Sequence, residues 1–155
     1  MELPACARGW GEDINGNTMP KTALIVEDEI FVALDLERIL IDAGYKVAAI
    51  AADSDGAIAA AADCHFALID VNLRDGATGP GLATKLARDY GLKVVFVTAN
   101  PAQIGQADGA LGYIRKPFSE AAILAAAAMA SSAVPHVAAN DDVILLGRDR
   151  DISSG

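Results

Sequence analysis

Four short apolar runs in the sequence end abruptly in polar or charged residues. Runs of this length with sharp ends are typical of strands buried on both faces of a sheet. If the strands are parallel, their polar ends meet at one edge, where open parallel sheets bind ligands. The runs and the residues that follow them are Ala23–Val26 before Glu27, Asp28 and Glu29, Phe66–Ile69 before Asp70, Val94–Val97 before Thr98, and Leu111–Ile114 before Arg115 and Lys116.

Helical patterns separate these runs, and a β-branched stretch at Tyr45–Ala51 supplies a further strand. Strands that alternate with helices predict an α/β fold, here a doubly wound five-stranded parallel sheet with helices on both faces. Pro101 and three glycines lie between Thr98 and Tyr113, so we expect the fourth helix to be short or irregular. The other predicted helices are Glu29–Ala43, Ala57–Ala62, a helix from about Pro80 to Tyr90, and Ser119–Ala133.

Composition limits the class of protein. The 155 residues fit one domain, which we place at 21–134 between a flexible leader at 1–20 and a tail at 135–155. A net charge of −9 without a Lys/Arg cluster argues against nucleic-acid binding. No apolar run is long enough to span a membrane, and Cys6 and Cys64 form no disulfide framework. We therefore expect a cytoplasmic protein.

The polar strand ends suggest a particular chemistry. An acidic cluster taken alone often marks a helix start, but Glu27 and Asp28 would face Asp70 across one strand spacing and would need a cation. Carboxylate ligands with water suit Mg²⁺. Asp70 could then attack phosphorus as a nucleophile, with Lys116 neutralising charge and Thr98 bonding to the phosphoryl group.

In order and placement these residues resemble the receiver domain of two-component response regulators, over about Thr22 to Ala133. The resemblance implies the flavodoxin-like strand order 2-1-3-4-5. It also implies a single-domain regulator that takes a phosphoryl group from a histidine kinase or phosphotransfer protein and signals to a protein target or acts as a phosphorelay intermediate or phosphate sink. The implied roles are Glu27, Asp28, Asp70 and Asn72 for Mg²⁺, Asp70 as phospho-acceptor, Thr98 and Tyr113 as a switch pair, and Lys116 as the phosphate-contacting lysine.

Two rival functions remain open at this stage. An aspartyl-phosphate phosphatase or mutase would typically carry a second acid two residues after the nucleophile, where this chain has Asn72. A flavin carrier would need a phosphate cradle after the first strand, where Glu27 and Asp28 would repel a phosphate. We therefore expect a signalling protein whose chemistry is limited to its own phosphorylation and dephosphorylation.

The last predicted helix carries no charged residue after Glu120. We expect it to expose an apolar strip of Ile123, Leu124 and Met129, which would need a cover. The candidates are the apolar island Val143–Leu146, a second copy of the chain, or a target protein. Phe31 sits among charges on the first helix, and we assign it to contact with the phosphodonor.

Overall fold

The computed structural model describes residues 10–12, 18–105, 108–131 and 141–146, with side chains from residue 21 onward. Within these ranges the chain forms eight strands and four α-helices, with single 3-10 turns at Ala61–Asp63 and Pro101–Gln103. In chain order the elements are β1 (Trp10–Glu12), β2 (Thr18–Pro20), β3 (Thr22–Val26), α1 (Ile30–Asp42), β4 (Lys46–Ala51), α2 (Ser54–Ala60), β5 (Phe66–Ile69), α3 (Gly79–Tyr90), β6 (Lys93–Thr98), β7 (Ala110–Arg115), α4 (Glu120–Ser131) and β8 (Val143–Leu145).

The main sheet has the strand order β4-β3-β5-β6-β7-β8. Strands β3 to β7 pair in parallel. Counted by themselves, these five strands have the order 2-1-3-4-5, which confirms the predicted fold class. Strand β8 then adds to β7 in the antiparallel direction.

Helices cover both faces of the sheet because successive strand side chains point to opposite sides. On one face α1 and α4 pack over strand residues such as Ile25 and Leu68. On the other face α2 and α3 pack over Leu24 and Ile69. All four strand side chains are fully or almost fully buried, so β3 and β5 lie in the interior of the fold with helices on both sides.

The helix predicted between β6 and β7 is short, as expected, and the described residues of that segment form only a 3-10 turn. After Asn100 the chain makes one 3-10 turn at Pro101–Gln103, and Ile104 is buried in the core on the α2 and α3 side. Gly105 and Gly109 have positive φ angles of 61° and 90°. The left-handed conformation at these glycines does not continue a helix.

Helix α4 corrects one expectation about the surface. Ile123 and Met129 are buried in the core shared with α1, and Leu124 is half-buried. The short alanine side chains let α4 approach the sheet and α1 closely, so its larger residues point inward. The predicted exposed strip is therefore wrong for Ile123 and Met129.

The segments outside the predicted domain contain regular structure. Trp10–Glu12 pairs with Thr18–Pro20 as a small antiparallel sheet, where the sequence pattern predicts a flexible leader. The apolar island, which the pattern places in the tail, provides β8 at Val143–Leu145. It folds back onto the edge of the sheet, so a strand pairing covers β7.

Candidate functional site

The site lies at the carboxyl edge of the parallel sheet, where the predicted side chains meet. Backbone hydrogen bonds fix its members to neighbouring strands. The Asp70 amide donates to Val26 O at 2.9 Å, and the Lys116 amide donates to Thr98 O at 2.9 Å. Asp70 and Lys116 are therefore held in place by the same ladder that builds the sheet.

Lys116 joins two acidic residues from different strands. Its Nζ donates hydrogen bonds to Glu27 Oε1 at 2.7 Å and to Asp70 Oδ2 at 3.0 Å. A third carboxylate oxygen, Glu29 Oε1, lies 3.6 Å from the same nitrogen. Glu27, Asp70 and Thr98 are buried, so this ammonium compensates charge where water cannot.

One ammonium does not fully offset two buried carboxylates. Burial raises the pKa of Glu27 to about 7, although the hydrogen bond from Lys116 acts in the lowering direction. For Lys116, burial lowers the pKa, but the hydrogen bonds to Glu27 and Asp70 outweigh it and the pKa is raised. Lys116 therefore keeps its proton, and Glu27 is the carboxyl that can gain one near neutral pH.

The donor set fits a hard divalent cation. One carboxylate oxygen from each of four acids lies within 4.8 Å of the others, and these acids are Glu27, Asp28, Glu29 and Asp70. Asp28 and Glu29 are exposed, whereas Glu27 and Asp70 are buried. An all-oxygen cluster open to water on one side is the arrangement that Mg²⁺ prefers.

Asn72 lies in the loop after Asp70, as predicted, but its side chain has a structural partner. Its Nδ2 donates to Gln103 Oε1 at 2.9 Å. The bond ties the loop after β5 to the 3-10 turn that follows β6. The role assigned to Asn72, to bind the metal through its backbone carbonyl, stays a prediction.

Thr98 and Tyr113 lie on the neighbouring strands β6 and β7. Thr98 is fully buried, and its Oγ1 accepts a hydrogen bond from the Asn100 amide at 3.0 Å. Tyr113 is half-buried and pairs in register with Phe96. The structure places both residues beside the site, and their role as a switch pair stays a prediction.

Three contributors were not assigned from the sequence. Glu29 joins the acidic cluster, and its place in the acidic triplet was a usable signal. Gln103 and Asn100 act through contacts that depend on how the turn after β6 folds. The sequence carries no local pattern for those contacts.

Gly79 sets the close approach of α3 to the site. A Cβ added there would lie 2.3 Å from Asp70 O and 2.7 Å from Val71 Cα, which is far inside normal contact distance. The Gly79 amide also donates to Val71 O at 3.0 Å. The missing side chain lets α3 begin directly against the backbone of the acid-bearing loop.

A doubly wound sheet with acids, a threonine and a lysine at its carboxyl edge is the arrangement expected of a receiver. The family model for the response regulator receiver domain matches residues 23–128. This match covers more than half of the chain, and the chain therefore belongs to that family.

Named relatives agree with this assignment. The phyllosphere-induced regulator PhyR of Methylorubrum extorquens is 30% identical over 112 residues, which are 69% of this chain and 42% of that protein. The chain thus spans less than half of that regulator. The receiver domain of PhyR from Erythrobacter litoralis has a TM-score of 0.63 and 25% identity, covering 76% of this chain and 95% of that one.

A third comparison concerns the fold alone. The structure of the CheX-CheY-BeF3-Mg complex from Borrelia burgdorferi superposes with a TM-score of 0.64 at 23% identity, covering 76% of this chain and 92% of that one. Among the described residues of the present chain, no helix has the length and apolar character needed to cross a bilayer.

Proposed function

We propose that this receiver accepts a phosphoryl group on Asp70 in a Mg²⁺-dependent reaction. The observation that carries the proposal is the convergence of Asp70, Glu27 and Lys116 within hydrogen-bonding distance at the carboxyl edge of the sheet. The nucleophile is the Asp70 oxygen that does not accept from Lys116. It forms a bond to phosphorus as the bond to the donor breaks.

The chain's own residues prepare this transfer. Lys116 holds one Asp70 oxygen and neutralises negative charge beside the incoming phosphoryl group. The carboxylates of Glu27, Asp28 and Asp70, with the backbone carbonyl of Asn72, would hold Mg²⁺. The bound ion would offset charge on the phosphoryl oxygens. The CheX-CheY-BeF3-Mg complex, which shares the fold, supports this choice of metal.

The response to phosphorylation would pass through Thr98 and Tyr113. Thr98 would turn its hydroxyl from the Asn100 amide towards the phosphoryl group. The space left behind it would admit Tyr113, which gives two states biased by the phosphate. Their positions on β6 and β7 support this role.

The phosphodonor would be a histidine kinase or a phosphotransfer protein acting in the cytoplasm. Next to the acidic cluster, α1 exposes Ile30, Phe31 and Leu34, with Phe31 83% exposed. An apolar patch beside the reacting carboxylate suits a protein donor, since it excludes water around the transferred group. The receiver would then pass its signal to a protein target.

A signalling role is favoured over an enzymatic one by Asn72. A phosphatase or mutase of this kind would use a general acid at that position. An amide does not donate a proton in that way, and here it is bonded to Gln103. The chemistry would thus end with the phosphorylation and dephosphorylation of Asp70.

Phosphate-affinity gels with acetyl phosphate and Mg²⁺ test the proposal. We expect labelling of the parent and none of Asp70→Asn. Asp63→Asn is the matched control, because Asp63 is an exposed acid at the other end of β5, and it should label like the parent. Stoichiometric labelling of Asp70→Asn would overturn the assignment.

A further inference from the structure

The sixth strand, β8, lies on the part of the sheet that borders the site. Its three residues pair with β7 as Gly112↔Leu145, Tyr113↔Ile144 and Ile114↔Val143. The Leu146 amide extends the pairing by donating to Leu111 O at 2.9 Å. Without β8, strand β7 would be the open edge of the sheet.

Gly112 shows that β7 is fitted to this neighbour. A Cβ at Gly112 would lie 2.3 Å from Ile144 O, 3.1 Å from Ile144 C and 3.3 Å from Leu145 Cα. All three of these nearest atoms belong to β8. A side chain at position 112 would therefore push β8 away and meet β8 before any other part of the fold.

A cleft of about 500 Å³ is lined by residues of β8 and by residues at and after the end of β7. Its lining includes Lys116, Asp141 and Ile144, and Lys116 also donates a hydrogen bond to Asp70. Tyr113 lines the same cleft and is the strand partner of Ile144. A change in the position of Tyr113 would therefore alter its cross-strand pair with Ile144 of β8.

We propose that β8 is a displaceable strand that phosphorylation of Asp70 loosens from β7, which exposes the β7 edge to an extended segment of a protein partner. This inference rests on the proposed function. When Tyr113 turns towards the space behind Thr98, it leaves its cross-strand neighbour Ile144, and β8 loses one of its two side-chain pairs with β7, the other being Ile114 with Val143.

The exposed edge defines the chemistry of the partner. The N–H and C=O groups of β7 that now pair with β8 would be open to another extended peptide. Gly112 would give that peptide the same close approach that Ile144 and Leu145 have now. The chain's own segment at 143–146 thus covers the β7 edge until Asp70 is phosphorylated.

Hydrogen exchange of the full chain, with and without beryllofluoride and Mg²⁺, tests the coupling. Beryllofluoride on the aspartate imitates the phosphoryl group. We expect exchange at the Leu146 amide and across 143–146 to speed up about fivefold or more, the lower range of typical coupling, while β3 and β5 stay protected. Asp70→Asn should show no change.

Two glycine-to-alanine variants test the same coupling by changing β8 first and measuring the effect at Asp70. Gly112→Ala should release β8 without beryllofluoride. Because coupling between binding equilibria is reciprocal, it should also raise the affinity of Asp70 for beryllofluoride in the presence of Mg²⁺ by about fivefold or more. Gly81→Ala is the control, since a Cβ there meets nothing within 4 Å; it should behave like the parent.

The outcomes separate the two proposals. Normal labelling of Asp70 with unchanged protection at 143–146 overturns the displaceable strand and leaves the proposed function intact. Release of β8 in Gly112→Ala without a change in beryllofluoride affinity also overturns the coupling. Absence of labelling in the parent overturns both.

Discussion

Lys116 donates a hydrogen bond across 3.0 Å to Asp70, a residue 46 positions earlier in the chain. The bond spans the end of β6, because β5 and β7 are both neighbours of that strand. It joins two sides of the sheet at the point of the proposed chemistry. The state of this one ammonium therefore affects both stability and reactivity.

Lys116→Ala should destabilise the fold in a pH-dependent way. It leaves Glu27 and Asp70 buried without their shared cation, and breaking such a pair costs up to about 3–5 kcal/mol. The loss should be greater at pH 8 than at pH 6, where Glu27 can take up a proton. Urea unfolding at both pH values measures this. Lys93→Ala, at the exposed start of β6, should change stability by less than about 0.5 kcal/mol.

Glu27 should make the metal-free parent less stable as the pH rises. Its pKa is raised from 4.5 to about 7 by burial, so between these values the folded chain holds a proton that the unfolded chain has lost. Stability from this group should fall by up to about 3 kcal/mol from pH 4.5 to pH 7 and level off above. Urea unfolding in metal-free buffer measures the fall. Glu27→Gln should remove it, and an unchanged slope in that variant would contradict the assignment.

Asp28→Asn should abolish Mg²⁺-dependent labelling while the fold stays intact. Asp28 is exposed in the acidic cluster, so its loss removes a ligand and should change stability by less than about 0.5 kcal/mol. Phosphate-affinity gels and far-ultraviolet circular dichroism measure the two effects. Asp55→Asn, an exposed acid in the first turn of α2, serves as control. A loss of helical signal in Asp28→Asn would make Asp28 structural.

Thr98→Ala should disconnect Tyr113 from phosphorylation. Without the hydroxyl, nothing at this position can turn from the Asn100 amide to the phosphoryl group. Tyr113 ring shifts in NMR spectra, compared with and without beryllofluoride, should change in the parent and stay nearly constant in the variant. Thr84→Ala removes a hydroxyl that bonds Pro80 O on α3 and should keep the parent's response.

Phe31→Ala should slow transfer from a protein donor and leave chemical labelling unchanged. Phe31 is 83% exposed, and we assign it to donor contact, so acetyl phosphate should react with the variant as before. The measurement is the rate of Asp70 phosphorylation, first by acetyl phosphate and then by a phosphotransfer protein that labels the parent. Ile41→Ala, exposed at the far end of α1, is the control. Equal slowing in both variants would argue against a local docking patch.

The sheet and the site were predictable because they depend on local patterns. The apolar runs before Glu27, Asp70, Thr98 and Lys116 identify strands by their length and sharp ends. Parallel pairing then brings the four ends together. This reasoning needs no knowledge of how the side chains pack, and the observed strand order confirms it.

The surface was less predictable because it depends on packing. An alanine-rich helix has almost no polar face, so the sequence of α4 does not show which side meets the sheet, and the expectation that Ile123 is exposed is wrong. The Asn72 contact with Gln103 depends on the 3-10 turn after β6. The pairing of β8 with Gly112 depends on a contact between residues more than 30 positions apart.

Strand β8 also has a consequence for solubility. An open edge strand is a template for pairing with other chains and hence for aggregation, and a short edge strand limits this hazard. The sheet ends in three residues of β8 instead of the six of β7. We therefore expect this short edge strand to offer fewer backbone groups to a second chain than β7 would offer, independently of any signal that β8 carries.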